Sequence, residues 1–225
     1  MAVVDDDEEE AWTTSLLLEQ AGFVPVQIVP TEAEITGTLT RIKQDCVAAV
    51  CDHRLNAGSK ARFFGAELVY KTNKQLGLPA VLYTTFAGTD QSTSIRRWKA
   101  GIPCVVDKTD NDSTVLERAL ETTMAELQGH VPRVRRAHPA VVEVLAVRQD
   151  RETPAVEAIV PAWRMSTAVD IPLDLILSDL SVPPLELEGL WLTAEVNCHA
   201  EQSSDLFFKN FEIAPELPEE WKNGN

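Results

Sequence analysis

The chain has 225 residues, 44% of them hydrophobic and 24% charged, which is the composition of an ordinary water-exposed protein with one large or two small domains. No run approaches the roughly 18 apolar residues of a membrane span. A formal net charge of -15 is spread over both halves, with 19 acidic against 12 basic residues in 1–130 and 16 against 8 in 131–225, so neither half offers the basic surface that a nucleic-acid backbone requires.

Ala2-Val3-Val4 reads as a first strand that runs straight into Asp5-Asp6-Asp7, which leaves no room for a signal peptide. Glu8 to Leu18 begins a helix whose first turn carries Glu8, Glu9 and Glu10, placed for the positive end of the helix dipole. Trp12, Leu16 and Leu17 share a face at helical spacing, and Gly22 is placed to end the helix. Val24 to Val29 reads as the second strand, followed by Thr31 as the N-cap of a helix over Glu32 to Lys43. Cys46 to Cys51 is a short apolar run that ends on Asp52, the pattern of a strand buried on both faces of a parallel sheet. The basic stretch from His53 to Arg62 reads as a solvated loop or a docking element before a third helix that starts at Gly65. Ala80 to Tyr83 is a fourth strand ending at Thr84-Thr85. A fourth helix over Thr89 to Ala100 carries Arg96, Arg97 and Lys99 on one face. Pro103 to Val106 is a fifth strand that runs through Asp107 into Lys108, and Val115 to Leu127 is the last helix of this half. Strands that alternate with helices in this way imply parallel pairing through right-handed crossovers, with the carboxyl ends of the strands as the ligand-facing edge.

Gly129 to Pro139 then reads as a connector, with Pro132, Pro139 and an Arg cluster at 133, 135 and 136. Beyond it Val141–Val147, Ala155–Val160, Leu190–Val196 and Leu206–Ile213 are strand-like, and Pro161, Pro172, Pro183 and Pro184 argue against long helices. The expectation for 140–213 is a small β-rich barrel or sandwich with Trp163, Trp191 and Phe207 or Phe208 in its core, followed by an acidic tail over 214–225. Cys46, Cys51, Cys104 and Cys198 have no metal-site spacing and read as reduced thiols, and His53, His130, His138 and His199 are scattered. No nucleophile–base pair or Gly-rich phosphate loop is visible in the second half.

Five chemical positions stand in register at the ends of the first-half strands: Asp5-Asp6, Asp52, Thr84 and Lys108. With Gly22-Phe23 and Ala100-Gly101 at matching distances, residues 1–129 resemble a response-regulator receiver domain of the CheY-like family. The resemblance implies an α/β fold, a doubly wound five-stranded parallel sheet of order 2-1-3-4-5, with domains over 1–129, a linker over 130–139 and the β domain over 140–213. It implies a phosphorelay signalling protein of the cytoplasm rather than an enzyme. A histidine kinase would be its partner, and Asp52 the phosphoacceptor. Mg²⁺ would be held directly by Asp6 and Asp52, through water by Asp5, and by the Arg54 backbone carbonyl. Lys108 would pair with the phosphoryl oxygens and the Thr84 hydroxyl would move to meet one of them, with Thr85 its neighbour in the alternative register. Three features depart from the family. The loop after Asp52 is longer and lacks its Pro, Val105 stands at the aromatic switch position, and Thr109 replaces the Pro after the Lys. The β domain would signal by protein contact. The alternatives are an adaptor or phosphate sink with no output, and a β domain that senses a nucleotide or is an enzyme. Asp179-Leu180-Ser181 after the Arg cluster resembles the cyclic-dinucleotide-binding PilZ family, without that family's Gly (Pro184 here) or its Arg spacing.

Overall fold

The computed structural model describes residues 1–85, 92–110, 112–151 and 153–215. The chain divides into two units, Met1–Arg135 and Arg136–Asn225.

In the first unit β1 (Ala2–Val4), β2 (Val26–Ile28), β3 (Ala49–Cys51), β4 (Ala80–Thr84) and β5 (Val105–Asp107) pair in parallel in the order β2-β1-β3-β4-β5. Side chains alternate across this sheet, so each strand feeds two cores. Ala2, Val4, Ala49, Cys51, Ala80 and Leu82 pack with Ile35 and Ile42 of α2 (Ile35–Asp45), Leu68 and Val69 of α3 (Gly65–Lys71) and Ile95 of α4 (Ser92–Arg96). Val3, Val50, Val81, Tyr83 and Val106 pack with Leu17 and Leu18 of α1 (Glu8–Gln20) and Leu116 and Leu120 of α5 (Ser113–Leu127). Burial on both faces is why these strands read as continuous apolar runs. The doubly wound sheet and its strand order are those expected from the sequence.

Several local expectations change. The Asp7 side chain caps α1, accepting from Glu9 N and Glu10 N at 2.8 and 3.2 Å. The helix then buries Ala11, Thr14, Ser15, Leu17 and Leu18, which leaves Trp12 58% exposed and Leu16 on the outside as well. The face expected from Trp12, Leu16 and Leu17 is therefore not the packed one; two small hydroxyl residues take the place of the aromatic. Gly22 does end the helix, at φ +80. Thr31 caps nothing, because residues 32–34 form a bend and α2 starts at Ile35 with Glu34 before it. The expected fourth helix shrinks to Ser92–Arg96 followed by a 3-10 turn at Lys99–Gly101, its expected start at Thr89 lying outside the described residues. Arg96 and Lys99 are buried, so the basic face drawn from a continuous helix does not form; Arg97 is exposed, its guanidinium 5.2 Å from the Trp98 ring.

In the second unit β6 (His138–Arg148), β7 (Ala155–Val160), β8 (Arg164–Pro172), β9 (Trp191–Val196) and β10 (Phe208–Ile213) form one antiparallel sheet of order β10-β9-β6-β7-β8. β8 has no counterpart among the expected strands, because its first half is largely exposed and burial starts only at Val169. The β-rich character holds, but the barrel or sandwich form is corrected. Among the described residues the strand order is open and no second sheet faces this one. Leu173 and Ile176 of α6 (Leu173–Leu177) and Leu187 of a 3-10 turn at Pro184–Leu187 cover the apolar face instead. Phe207 and Phe208 are buried and Trp163 packs against the core, whereas Trp191 is 49% exposed at the start of β9. Of the stretch read as a connector, Arg133–Arg135 form a 3-10 turn and His138 already opens β6. Of the tail read over 214–225, residues 216–225 lie outside the described residues.

Candidate functional site

Register builds the site. Val4 pairs with Cys51, so the next residues, Asp5 and Asp52, leave the sheet side by side, tied by Asp52 N donating to Val4 O at 2.9 Å. Thr84 pairs with Asp107, and Lys108 N donates to Thr84 O at 3.2 Å. The carboxyl edge of the sheet thus collects Asp5, Asp6, Asp52 and Lys108 in an open cleft of about 500 Å³, whose walls include Glu10, Arg54, Gly58 and Thr85.

Asp5, Asp6 and Asp52 each place a carboxylate oxygen within 4.8 Å of the others. Lys108 Nζ lies 3.0 Å from Asp5 Oδ2, 3.1 Å from Asp52 Oδ1 and 3.5 Å from Glu10 Oε2. Backbone donors hold the carboxylates: Asp7 N gives to Asp5 Oδ1 at 3.1 Å, Arg54 N to Asp52 Oδ2 at 2.6 Å, and Gly58 N to Asp6 Oδ2. Burial raises the Asp5 carboxyl above the usual carboxylate range, with Lys108 pulling against it. For Lys108 itself burial favours the neutral amine, but the charges of Asp52 and Asp5 outweigh it and push the ammonium above its ordinary value. An all-oxygen donor set with more negative than positive charge fits a hard divalent ion such as Mg²⁺.

The structure therefore brings together five of the sequence-derived positions: Asp5, Asp6, Asp52, Arg54 and Lys108. Thr84 differs. It is 0% exposed at the end of β4, and the residue that lines the cleft is Thr85. At the position after Lys108, Thr109 donates through N and Oγ1 to Asp107 Oδ1, each at 2.8 Å, and so closes the turn. Val105 is half-buried in β5. Two contributors were not among the expected site residues. Glu10 was read only as a dipole partner, although it lies one helical turn beyond Asp6. Gly58 gives no sequence signal beyond its place in a longer loop.

Gly65 makes the setting of Asp52 possible. A Cβ there would lie 1.6 Å from Asp52 O, so only glycine lets α3 start against the Asp52 backbone. His53, next to Asp52, is buried, stacks on Phe64 at 5.1 Å and pairs through Nε2 with Ser94 Oγ at 2.8 Å. Burial, with Arg54 adding to it, lowers its pKa to about 4, so the ring is neutral. In the second unit Asp179 has a structural task. Its Oδ2 accepts from Phe211 N at 2.8 Å, beside the bulge where Asn210 takes φ 57.

No protein-family model matches the chain, and no curated protein matches it. Solved structures of receiver domains are similar to its N-terminal part. A CheY-like response regulator receiver domain from Methanospirillum hungatei is 20% identical, with a TM-score of 0.42, over 58% of this chain and 96% of its own. The receiver domain of NtrX from Brucella abortus is 24% identical, with a TM-score of 0.42, over 54% of this chain and 98% of its own. The signal receiver domain of a modulated diguanylate cyclase from Desulfovibrio desulfuricans is 15% identical, with a TM-score of 0.45, over 58% of this chain and 96% of its own.

Proposed function

We propose that this chain is a response regulator of two-component signalling that takes a phosphoryl group from a histidine kinase on Asp52. The observation that carries the reading is the Lys108 ammonium seated between Asp5 and Asp52, with Asp6 alongside, at the carboxyl edge of a parallel sheet. A carboxylate oxygen of Asp52 attacks the phosphorus of the phosphohistidine. The O–P bond forms as the P–N bond breaks, and the imidazole leaves with the electron pair on the kinase. Arg54 N fixes the Asp52 carboxylate for this attack. Lys108 is already charged and can pass from the carboxylates to the phosphoryl oxygens over a short distance. Mg²⁺, held by Asp6, Asp52, the Arg54 carbonyl and, through water, Asp5, would supply the counter-charge that a group of carboxylates otherwise lacks. Thr84 would have to move to reach a phosphoryl oxygen, whereas Thr85 stands in the cleft wall. Single Ala substitutions, read by the lifetime of the phosphorylated form, assign the role to one of them.

The chain is then a signalling protein of the cytoplasm, not an enzyme acting on a separate substrate. Among the described residues no helix is long and apolar enough to cross a membrane. The second unit passes the signal on by protein contact rather than through nucleic acid, a reading supported by its excess of acidic residues. The test is intact-mass measurement after treatment with acetyl phosphate and Mg²⁺. Wild type gains one phosphoryl adduct and Asp52→Asn gains none; equal labelling of the two overturns the proposal.

A further inference from the structure

The three carboxylates of the cleft are fixed by similar means but from different distances along the chain. Asp5 and Asp52 each accept a backbone N–H from the residue two places on, Asp7 and Arg54, a contact any chain making these turns supplies. Asp6 accepts from Gly58, 52 residues away. That donor arrives by way of the long loop after the acceptor, and this loop is built rather than loose. Leu55, Ala61 and Phe63 are buried. Ser59 Oγ donates to Leu55 O and accepts from Ala61 N at 3.1 Å, while Arg62 N donates to Ala33 O at 3.0 Å. The reading of this stretch as solvated fails for these residues, and its tip, Ala57 and Gly58, is part of the cleft wall.

We infer that Gly58 is a positioning residue for the ion site, and that the extended loop serves to deliver its N–H to Asp6. The inference rests on the ion site proposed above. Asp6 is the most exposed of the three carboxylates, and without this donor its side chain would be free to rotate in water. Its ordering would then have to accompany ion binding, at a cost in rotamer entropy. With Oδ2 held by Gly58, the Asp6 carboxylate keeps a fixed direction beside Asp5 and Asp52. Glycine is needed for a steric reason. A Cβ at position 58 would lie 2.6 Å from Asp6 O, a backbone atom that cannot step aside alone. Gly58 is not among the glycines with positive φ, so alanine there meets this contact and no conformational strain.

The experiment is Mn²⁺ titration of the full chain, read by water proton relaxation, with Mg²⁺ competition as the second measure. Gly58→Ala should weaken Mn²⁺ binding by about tenfold, the scale seen when a hydrogen-bond partner of a metal ligand is lost. It should add nothing in an Asp6→Ala background, because it acts through that carboxylate. Ser59→Ala, which loosens the loop from within, should weaken binding in the same direction but less, and it decides the matter if Gly58→Ala does not fold. A Gly58→Ala chain that binds Mn²⁺ as wild type does, or one whose loss persists in the Asp6→Ala background, overturns the inference and leaves the ion site standing. A wild-type chain that takes up no Mn²⁺ removes the ion site and this inference together.

Discussion

The two units treat charge in opposite ways. In the first, Asp5, Asp52, His53, Arg96, Lys99 and Arg135 are all buried or nearly so, and Asp52 is only 9% exposed. In the second, among the described residues, the buried polar side chain is Asn197, while the ion pairs Arg148–Glu157, Arg151–Asp170 and Lys209–Glu195 lie on the surface. Both units have apolar cores of the ordinary kind, so the contrast does not come from a lack of hydrophobic residues in either. Taking ions out of water costs several kcal/mol each unless partners make good the loss. The first unit accepts this cost at several positions, Asp5 and Asp52 at the carboxyl edge of its sheet among them. The second unit avoids this cost by keeping these ion pairs on its surface.

Substitutions that remove one charged or polar partner at a time test this contrast, with urea unfolding of the full chain followed through the amide exchange of each unit. Lys108→Ala should have the largest effect. It leaves Asp5 and Asp52 facing each other without a cation, and the first unit should lose about 3 kcal/mol in metal-free buffer. Added Mg²⁺ should restore part of that loss, since it supplies the missing positive charge. Asn197→Ala comes next. Asn197 Oδ1 accepts from the buried Phe207 N at 2.8 Å and its Nδ2 donates to Asp205 O at 3.0 Å, so its loss should cost the second unit about 2 kcal/mol. Arg148→Ala should change stability by no more than about 0.5 kcal/mol, because its partner Glu157 is a surface carboxylate. An Arg148→Ala loss as large as that of Lys108→Ala would break the contrast outright.

The acidic corner could be read from the sequence because it depends on short-range facts. Apolar runs end abruptly on Asp5, Asp52 and Asp107-Lys108, and parallel register then places those ends together without further information. What escaped depends on packing or on long-range contacts. Trp12 and Leu16 lie at helical spacing with Leu17, but the sheet face beneath α1 has room for Thr14 and Ser15, and no periodicity argument sees that. Arg96 and Lys99 would form a basic face only on a continuous helix, whereas α4 stops at Arg96, Lys99 belongs to a separate 3-10 turn, and both side chains are buried. Thr84 and Thr85 are told apart by which of them leaves the sheet, a one-residue matter in a strand of period two. The donor to Asp6 comes from a loop whose composition suggested solvation or docking, not a contact with the acidic corner. In the second unit the alternation of buried residues was legible for four strands. The cover over the sheet was not, since α6 is a five-residue helix between prolines.

Arg135 bears on where the molecule can be cut. Its guanidinium grips Glu126 through Nε at 3.2 Å and Nη2 at 3.0 Å, and it donates to the backbone carbonyls of Lys99 and Ala100 at 3.1 and 3.4 Å. A fragment that stops at Gly129, two residues after the end of α5, discards this clasp. It bares a carboxylate and two carbonyls on the surface that α5 shares with the turn before β5. A fragment that runs through Arg136 keeps the stopper in the bottle, and is the version of the first unit with which to measure phosphorylation in isolation.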